Sequence, residues 1–341
     1  MKIGKYAVAS VMAGLGCVLV MWVSSAKSGG PENGSLWAHD NLVAWCVVPF
    51  DAKNRGPEER AQMLNQLGFT KFAYDWRPVH VPTFDAEIDT LKEHGIDLLA
   101  WWFPFDADDP AAKATLEVFK RHHVHPQLWD MLPRKVTTAP GAVNRPNPLT
   151  PEETHQAHIQ ALQQDVTTNP QEQEMRVQRE AERVAALEKL AAPYGCPVEL
   201  YNHNGWAGMV DNQLAVIKRL KALGVTHVGM VYNFSHARDE LHDDTKNFAA
   251  LWKRIEPYVV VVNITGTCLD GTSIYLSQGD RELEMMRIIQ DSGWRGPIGL
   301  IAEKGGDAEI TLSNYLRGLD WVAAELKQAG SGGPRPFPPR P

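Results

Sequence analysis

The chain has 341 residues, of which 44% are hydrophobic and 22% are charged, and its formal net charge is −7. This composition is ordinary for a folded globular protein and supplies enough apolar residues for one large core. The acidic balance, without a basic stripe in the sequence, argues against a nucleic-acid-binding function.

The first 26 residues differ from the rest of the chain. Lys2 and Lys5 precede an apolar run over residues 6–23, and Ser24-Ser25-Ala26 follows it. This order is typical of a signal peptide, 1–26, and predicts export to the periplasm or the cell exterior. A retained segment would instead anchor the protein in a membrane. Residues 27–35 are polar and rich in Gly, Ser and Pro, which predicts a linker over 27–39.

From residue 40 onward, strand-like segments alternate with amphipathic helical ones. The predicted strands cover 41–48, 70–76, 97–103, 126–131, 198–202, 227–232, 258–264 and 297–302. The predicted helices cover 57–67, 84–94, 110–122, 151–192, 209–223, 245–255, 280–292 and 307–328. Such alternation predicts parallel strands joined by helices, and eight units predict a single-domain (β/α)₈ TIM barrel over 40–327. The last segment, 328–341, is rich in Pro and Gly, and we expect it to be disordered.

The connection after the fourth strand is longer than the others. Residues 133–151 include five prolines, and Asn169-Pro170 interrupts the helical stretch that follows. Long connections in compact domains often have a function. This helical excursion leaves the catalytic end of the barrel, so it is either a lid over the site or a solvent-exposed excursion.

Candidate site residues come from the ends of the predicted strands, where (β/α)₈ barrels carry their chemistry. The candidates for substrate binding are Asp75, Arg77, Trp101, Trp102, Asp130, Tyr201, Trp206, Asn233 and Asn263. The candidates for catalysis are His203, His236, Glu303 and Lys304. Aromatic rings can cover the apolar face of a sugar while charged groups and amides bind its hydroxyls. The set therefore indicates a small carbohydrate substrate, although tryptophan-rich strands could equally be barrel core.

Four segments resemble the xylose isomerase-like TIM barrels, the sugar phosphate isomerase/epimerase group. Residues 200–205, Leu-Tyr-Asn-His-Asn-Gly, resemble the family's Leu-Glu-Asn-His-x-Gly, and Asn233-x-x-His236 resembles its Asp-x-x-His. Residues 278–280 and 291–296 resemble its G-x-G-x-x-D and G-Y-x-G passage into the last strand. The resemblance extends over 42–321. It implies the same barrel and a reaction that moves a proton next to a sugar carbonyl.

The resemblance also implies a divalent metal held by Glu, Asp, His and Glu from strands five to eight. The residues near those positions are Tyr201, Asn233, Asn263 and Ile301. Phenol, amide and alkyl groups are weak ligands for hard cations, so we expect no cofactor and a degenerate metal site. The alternative is a replacement site for an ion such as Mn²⁺. Its candidate ligands are His203, His236, Glu303 and Glu199.

The leading interpretation is an exported sugar isomerase/epimerase-like enzyme. In this interpretation Glu303 acts as the base, with His203, His236 or Lys304 polarising the carbonyl. One alternative is a metal-free carbohydrate lyase or glycoside hydrolase that uses the strand-end carboxylates, Asp75, Asp130 and Glu303. Another is a non-catalytic carbohydrate-binding barrel.

Overall fold

A closed barrel of eight parallel strands forms the centre of the molecule. The computed structural model describes residues 34–133, 151–167, 169–203, 205–238, 242–267, 273–302 and 305–339. The barrel strands are β1 (Leu42–Trp45), β2 (Lys71–Tyr74), β3 (Asp97–Trp102), β4 (Gln127–Met131), β5 (Val198–Tyr201), β6 (Gly229–Asn233), β7 (Val259–Ile264) and β10 (Ile298–Ile301). β1 closes the barrel against β10, with Leu42 opposite Ile298 and Trp45 opposite Ile301. The predicted (β/α)₈ fold is confirmed.

The remaining two strands, β8 (Gly266–Thr267) and β9 (Ser273–Ile274), form a small antiparallel pair after β7. The helices are α1 (Pro57–Gln66), α2 (Phe84–Glu93), α3 (Pro110–His122), α4 (Pro151–Asp165), α5 (Pro170–Ala191), α6 (Val210–Ala222), α7 (Phe248–Ile255), α8 (Glu282–Asp291) and α9 (Ala308–Lys327). The break between α4 and α5 has a local cause. Asn169 Oδ1 accepts a hydrogen bond of 2.8 Å from the Glu172 amide, and Pro170 occupies the first helical position.

Alternation along the strands divides the side chains between two cores. Tyr74 on β2 and Trp101 on β3 point outward and pack with Phe84 of α2 and Phe119 of α3. Inward positions fill the barrel itself, where Trp45 is 1% exposed. Because successive residues of a strand face opposite sides, this division determines which strand-end residues can reach the mouth of the barrel.

The carboxyl-terminal segment differs from the expectation of disorder. The Phe337 ring lies 5.0 Å from the Tyr275 ring, between centroids. Trp321 Nε1 donates to the Gly333 carbonyl at 3.0 Å, and Gln278 Nε2 donates to the Pro338 carbonyl at 3.3 Å. Phe337 provides an apolar anchor, and the main-chain carbonyls provide acceptors. Residues 329–339 therefore lie against the barrel.

The predicted signal peptide and residues 27–33 of the predicted linker lie outside the described residues. Among the helices that the structure describes, none combines the length and the apolar character needed to cross a bilayer.

Candidate functional site

A cavity of about 360 Å³ opens at the carboxyl ends of β1 to β6. Six of the candidate residues line it: Asp75, Arg77, Trp102, Tyr201, His203 and His236. Sequence reasoning missed Trp45 and Trp76, which also line it. Trp45 could have been predicted as a site residue, because it ends β1 and the carboxyl ends of the barrel strands carry the site. The volume is of the size that a small ligand occupies.

Four aromatic rings pack together inside the barrel, three of which line this cavity, and the four are called the aromatic floor. They are Trp45, Trp102, Trp129 and Tyr201, from β1, β3, β4 and β5. All pairs of their ring centroids lie within 6.5 Å, and the Tyr201 and Trp129 rings stack with an interplanar angle of 21°. Trp45, Trp129 and Tyr201 are at most 1% exposed. The floor therefore fills the barrel interior with apolar rings.

Tyr201 and Asn233 contact each other at the edge of the floor. Asn233 Nδ2 donates a hydrogen bond to Tyr201 Oη. Asn233 Oδ1 accepts from both the amide and the hydroxyl of Ser235, each at 2.9 Å. The two residues that the sequence resemblance places at metal-ligand positions are thus bound to one another.

The donor set at these positions does not fit a divalent cation. Asn233 and Tyr201 offer neutral groups, and hard cations prefer anionic oxygens. Glu199 lies two residues before Tyr201, accepts the Gly229 amide at 2.6 Å and does not line the cavity. Glu303 lies outside the described residues. Within the described part of the chain, no three His, Cys, Asp or Glu side chains are grouped to hold an ion.

Asp75 follows β2 and is 2% exposed at the cavity wall. Its Oδ1 accepts a hydrogen bond of 3.3 Å from the Val48 amide, whereas its Oδ2 has no hydrogen-bond partner among the described residues. Burial raises the pKa of Asp75 to about 7, although the nearby positive charge of Arg77 opposes this rise. A carboxyl group with this pKa can accept or donate a proton near neutral pH.

His203 and His236 lie side by side on another part of the wall. Their ring centroids are 4.4 Å apart. His203 follows β5, and its amide donates to the Tyr201 carbonyl at 3.0 Å. His236 ends a 3₁₀ turn, Phe234–His236, which Asn233 caps. Neighbouring strands thus bring both imidazoles to the same cavity.

Two candidates on β3 and β4 point away from the cavity. The Trp101 ring lies 4.3 Å from that of Tyr74 and 5.1 Å from that of Phe119, between the barrel and the helices. Asp130 is fully buried, and its carboxylate pairs with Arg183 of α5 at 2.6 Å. The prediction that Trp101 and Asp130 bind substrate is therefore wrong. Each directly neighbours an inward-facing tryptophan, Trp102 or Trp129, on its strand, and successive strand residues face opposite sides.

Two further candidates are buried beside the site without lining it. The Arg176 guanidinium lies 4.2 Å from the Trp206 ring centroid, and Trp206 Nε1 donates to Gln173 at 2.7 Å. Asn263 is fully buried inside the barrel next to Gly299, and any side chain at position 299 would collide with Asn263 Oδ1. Glu303 and Lys304 lie outside the described residues.

The helical excursion packs on the loop after β5. Asp165, at the end of α4, accepts the Trp206 amide at 2.9 Å and pairs with Arg176 of α5 at 2.8 Å. No residue of α4 or α5 that the structure describes lines the cavity. Residues 134–150, which would connect β4 to α4, lie outside the described residues, so the lid stays a prediction.

Solved structures share this architecture, whereas no family model and no curated protein match the chain. A 3-keto-D-glucoside 4-epimerase from E. coli is 15% identical, with a TM-score of 0.56 over 83% of this chain and 98% of that one. An L-ribulose 3-epimerase is 10% identical, with a TM-score of 0.57 over 87% and 99%. A xylose isomerase-like TIM barrel protein from Mycobacterium smegmatis, solved with magnesium, is 16% identical, with a TM-score of 0.54 over 87% and 99%. These likenesses confirm that the chain has the fold of the xylose isomerase-like TIM barrels.

Proposed function

We propose that the protein is a carbohydrate isomerase or epimerase that moves a proton at a carbon next to a carbonyl group. One observation carries this proposal: a cavity with aromatic walls, at the catalytic end of the barrel, contains a buried carboxyl and two imidazoles. The sugar epimerases that share the fold support a small carbohydrate substrate. If the protein is exported, a free or oxidised sugar suits the site better than a sugar phosphate.

The groups in the cavity supply what such a reaction needs. Trp76 and Trp102 present rings on which the apolar face of a sugar can lie. Asp75, His203 and His236 can exchange protons with the substrate. Arg77 brings positive charge to the same wall, where it would stabilise negative charge that develops on the carbonyl oxygen.

A glycoside hydrolase receives less support from the geometry. Such enzymes need two carboxyl groups that flank the bond to be cleaved. Asp130 pairs with Arg183 on the outer side of the barrel, and Glu303 lies outside the described residues. Two carboxyls line the cavity in the described ranges, Asp75 and Asp109, but Asp109 caps helix α3 by accepting a hydrogen bond of 2.8 Å from the Ala111 amide. A carbohydrate-binding barrel would use the same cavity and differs only in the absence of turnover.

Proton exchange with solvent distinguishes these functions. The purified full chain would be incubated in D₂O with L-ribulose, D-fructose and a 3-keto-D-glucoside, and proton NMR would follow the carbon next to the carbonyl. The proposal predicts loss of that proton signal from at least one sugar. If the sugars bind in calorimetry while no proton exchanges, the protein is a binding barrel. If a glycoside releases a reducing end instead, it is a hydrolase.

A further inference from the structure

Helix α5 contacts three loops around the cavity without lining the cavity itself. Gln173, Arg176 and Arg183 are spaced by three and seven residues, so they lie on one face of this helix. Each forms a hydrogen bond with the chain that follows a different barrel strand. The bonds join Trp206 Nε1 to Gln173 Oε1 at 2.7 Å, Arg176 Nη2 to the Pro133 carbonyl at 3.0 Å, and Arg183 Nη1 to the Phe105 carbonyl at 2.6 Å. One helix thus connects the loops after β5, β4 and β3.

The bond from Arg183 reaches a wall of the cavity. Residues 103–105, Phe-Pro-Phe, follow β3 and line the cavity, and they are called the 103–105 wall. Phe105 is 41% exposed, so the packing of its side chain holds it only in part. The hydrogen bond from Arg183 acts instead on its main-chain carbonyl. A residue outside the cavity therefore fixes the backbone of this wall.

Two buried carboxylates orient the Arg183 guanidinium. Asp130 Oδ1 accepts from Nη1 at 3.1 Å, Asp130 Oδ2 accepts from Nη2 at 2.6 Å, and Glu180 Oε2 accepts from Nε at 3.0 Å. Both carboxylates are fully buried. Charge-assisted bonds of this kind fix the plane of a guanidinium. Desolvation offsets much of the attraction within a buried ion pair, so the arrangement contributes direction more than stability.

We propose that Arg183 is a positioning residue of the sugar site, which holds the 103–105 wall in place and thereby sets the affinity for the sugar. The inference rests on the proposed function for the identity of the ligand. Arg183 itself touches no substrate, because it lies on the outer side of the barrel with Asp130. The second helix of the excursion thus supports the site from outside, which is a different role from that of a lid.

The test uses a double variant of the full chain, Arg183→Met with Asp130→Asn. Arg183→Met alone would leave the Asp130 carboxylate buried without its partner and strongly destabilise the fold. The double variant removes both charges and leaves the Phe105 carbonyl without its donor. Its affinity for L-ribulose or D-fructose in calorimetry should fall about tenfold. Amide hydrogen exchange over residues 103–109, followed by mass spectrometry, should become faster.

Glu188→Gln is the matched control on the same helix. Glu188 is buried, and its carboxylate accepts the Val198 amide at 3.0 Å, at the start of β5 and so at the opposite end of the barrel from the cavity. This variant should lower stability without changing the sugar affinity or the exchange of residues 103–109. A purely structural role of Arg183 would give the same result as the control.

Two results would overturn the inference and leave the proposed function standing. One is wild-type affinity in a double variant that circular dichroism shows to be folded. The other is an equal loss of affinity in Glu188→Gln, since any loosening of α5 would then suffice. If the wild-type chain binds neither sugar, the proposed function loses its support, and hydrogen exchange alone decides the positioning role. Faster exchange over residues 103–109 in the double variant only would support that role, and unchanged exchange would refute it.

Discussion

Replacement of Asp75 by Asn should change how protein stability depends on pH. The carboxyl has a pKa of about 7 in the folded protein and an ordinary value of 3.8 when exposed. Between these values the folded state keeps a proton that the unfolded state has lost. The free energy of unfolding therefore falls as the pH rises through this window, by up to about 1.4 kcal/mol for each pH unit.

The two pKa values set the size of the effect. Their separation, from 3.8 to about 7, corresponds to about 4 kcal/mol of stability lost by the wild-type protein above pH 7. Asp75→Asn removes this titration. The Asn side chain keeps the acceptor for the Val48 amide but places an amide nitrogen where Oδ2 was, and a buried unpaired donor costs about 1–3 kcal/mol at every pH. The pH dependence of the difference, rather than its value at one pH, therefore reports the Asp75 titration.

Urea unfolding measures this difference. Both proteins would be followed by far-UV circular dichroism from about pH 4.5 to about pH 8.5, and all other titrating groups cancel in the subtraction. The variant should gain stability relative to wild type as the pH rises and reach a plateau above pH 7. A difference that stays flat across this range would show that Asp75 does not titrate there. A variant that gains stability at pH 8 and still loses turnover would separate catalysis from folding.

The remaining predictions concern two adjacent tryptophans, a metal site and the amino terminus. Trp101→Ala should lower the free energy of unfolding by about 3–5 kcal/mol without changing sugar affinity. Trp102→Ala should instead weaken sugar binding in calorimetry, because Trp102 lines the cavity and Trp101 does not. Equal losses of affinity in the two variants would contradict this placement. EDTA should change the melting temperature little, since Tyr201 and Asn233 are weak ligands, and a large drop that Mn²⁺ reverses would contradict the argument. In the exporting cell, amino-terminal sequencing should find the mature chain beginning after Ala26, and an intact amino terminus in the membrane fraction would support the anchor instead.

The fold could be predicted from the sequence because strand and helix periods alternate over the whole barrel. The eight predicted strands overlap the eight observed barrel strands, and the helix bounds agree within about three residues. Helix α7, for example, starts at Phe248 because a 3₁₀ turn precedes it. The site could be predicted only in part. Trp101 and Trp102 are adjacent on one strand, so the period of two permits only one of them to line the cavity. The sequence alone could not show that Trp102, rather than Trp101, is the one that lines the cavity.

The electrostatic state of the site could not be predicted at all from sequence. The raised pKa of Asp75 depends on the packing of the chain around it, including the loop that brings the Val48 amide to its carboxyl. The hydrogen bond between Asn233 and Tyr201 likewise joins residues 32 positions apart. Both features arise from the closed barrel rather than from any local pattern.

The aromatic floor also determines the dielectric environment of the cavity. Its rings exclude water and dissolved ions from one side of the site, so charges beside it interact more strongly than they would at an open surface. Mobile salt ions screen such partly buried charges much less than exposed ones. The rate of the proposed proton transfer should therefore vary little with ionic strength, in contrast to an enzyme that attracts its substrate through surface charges.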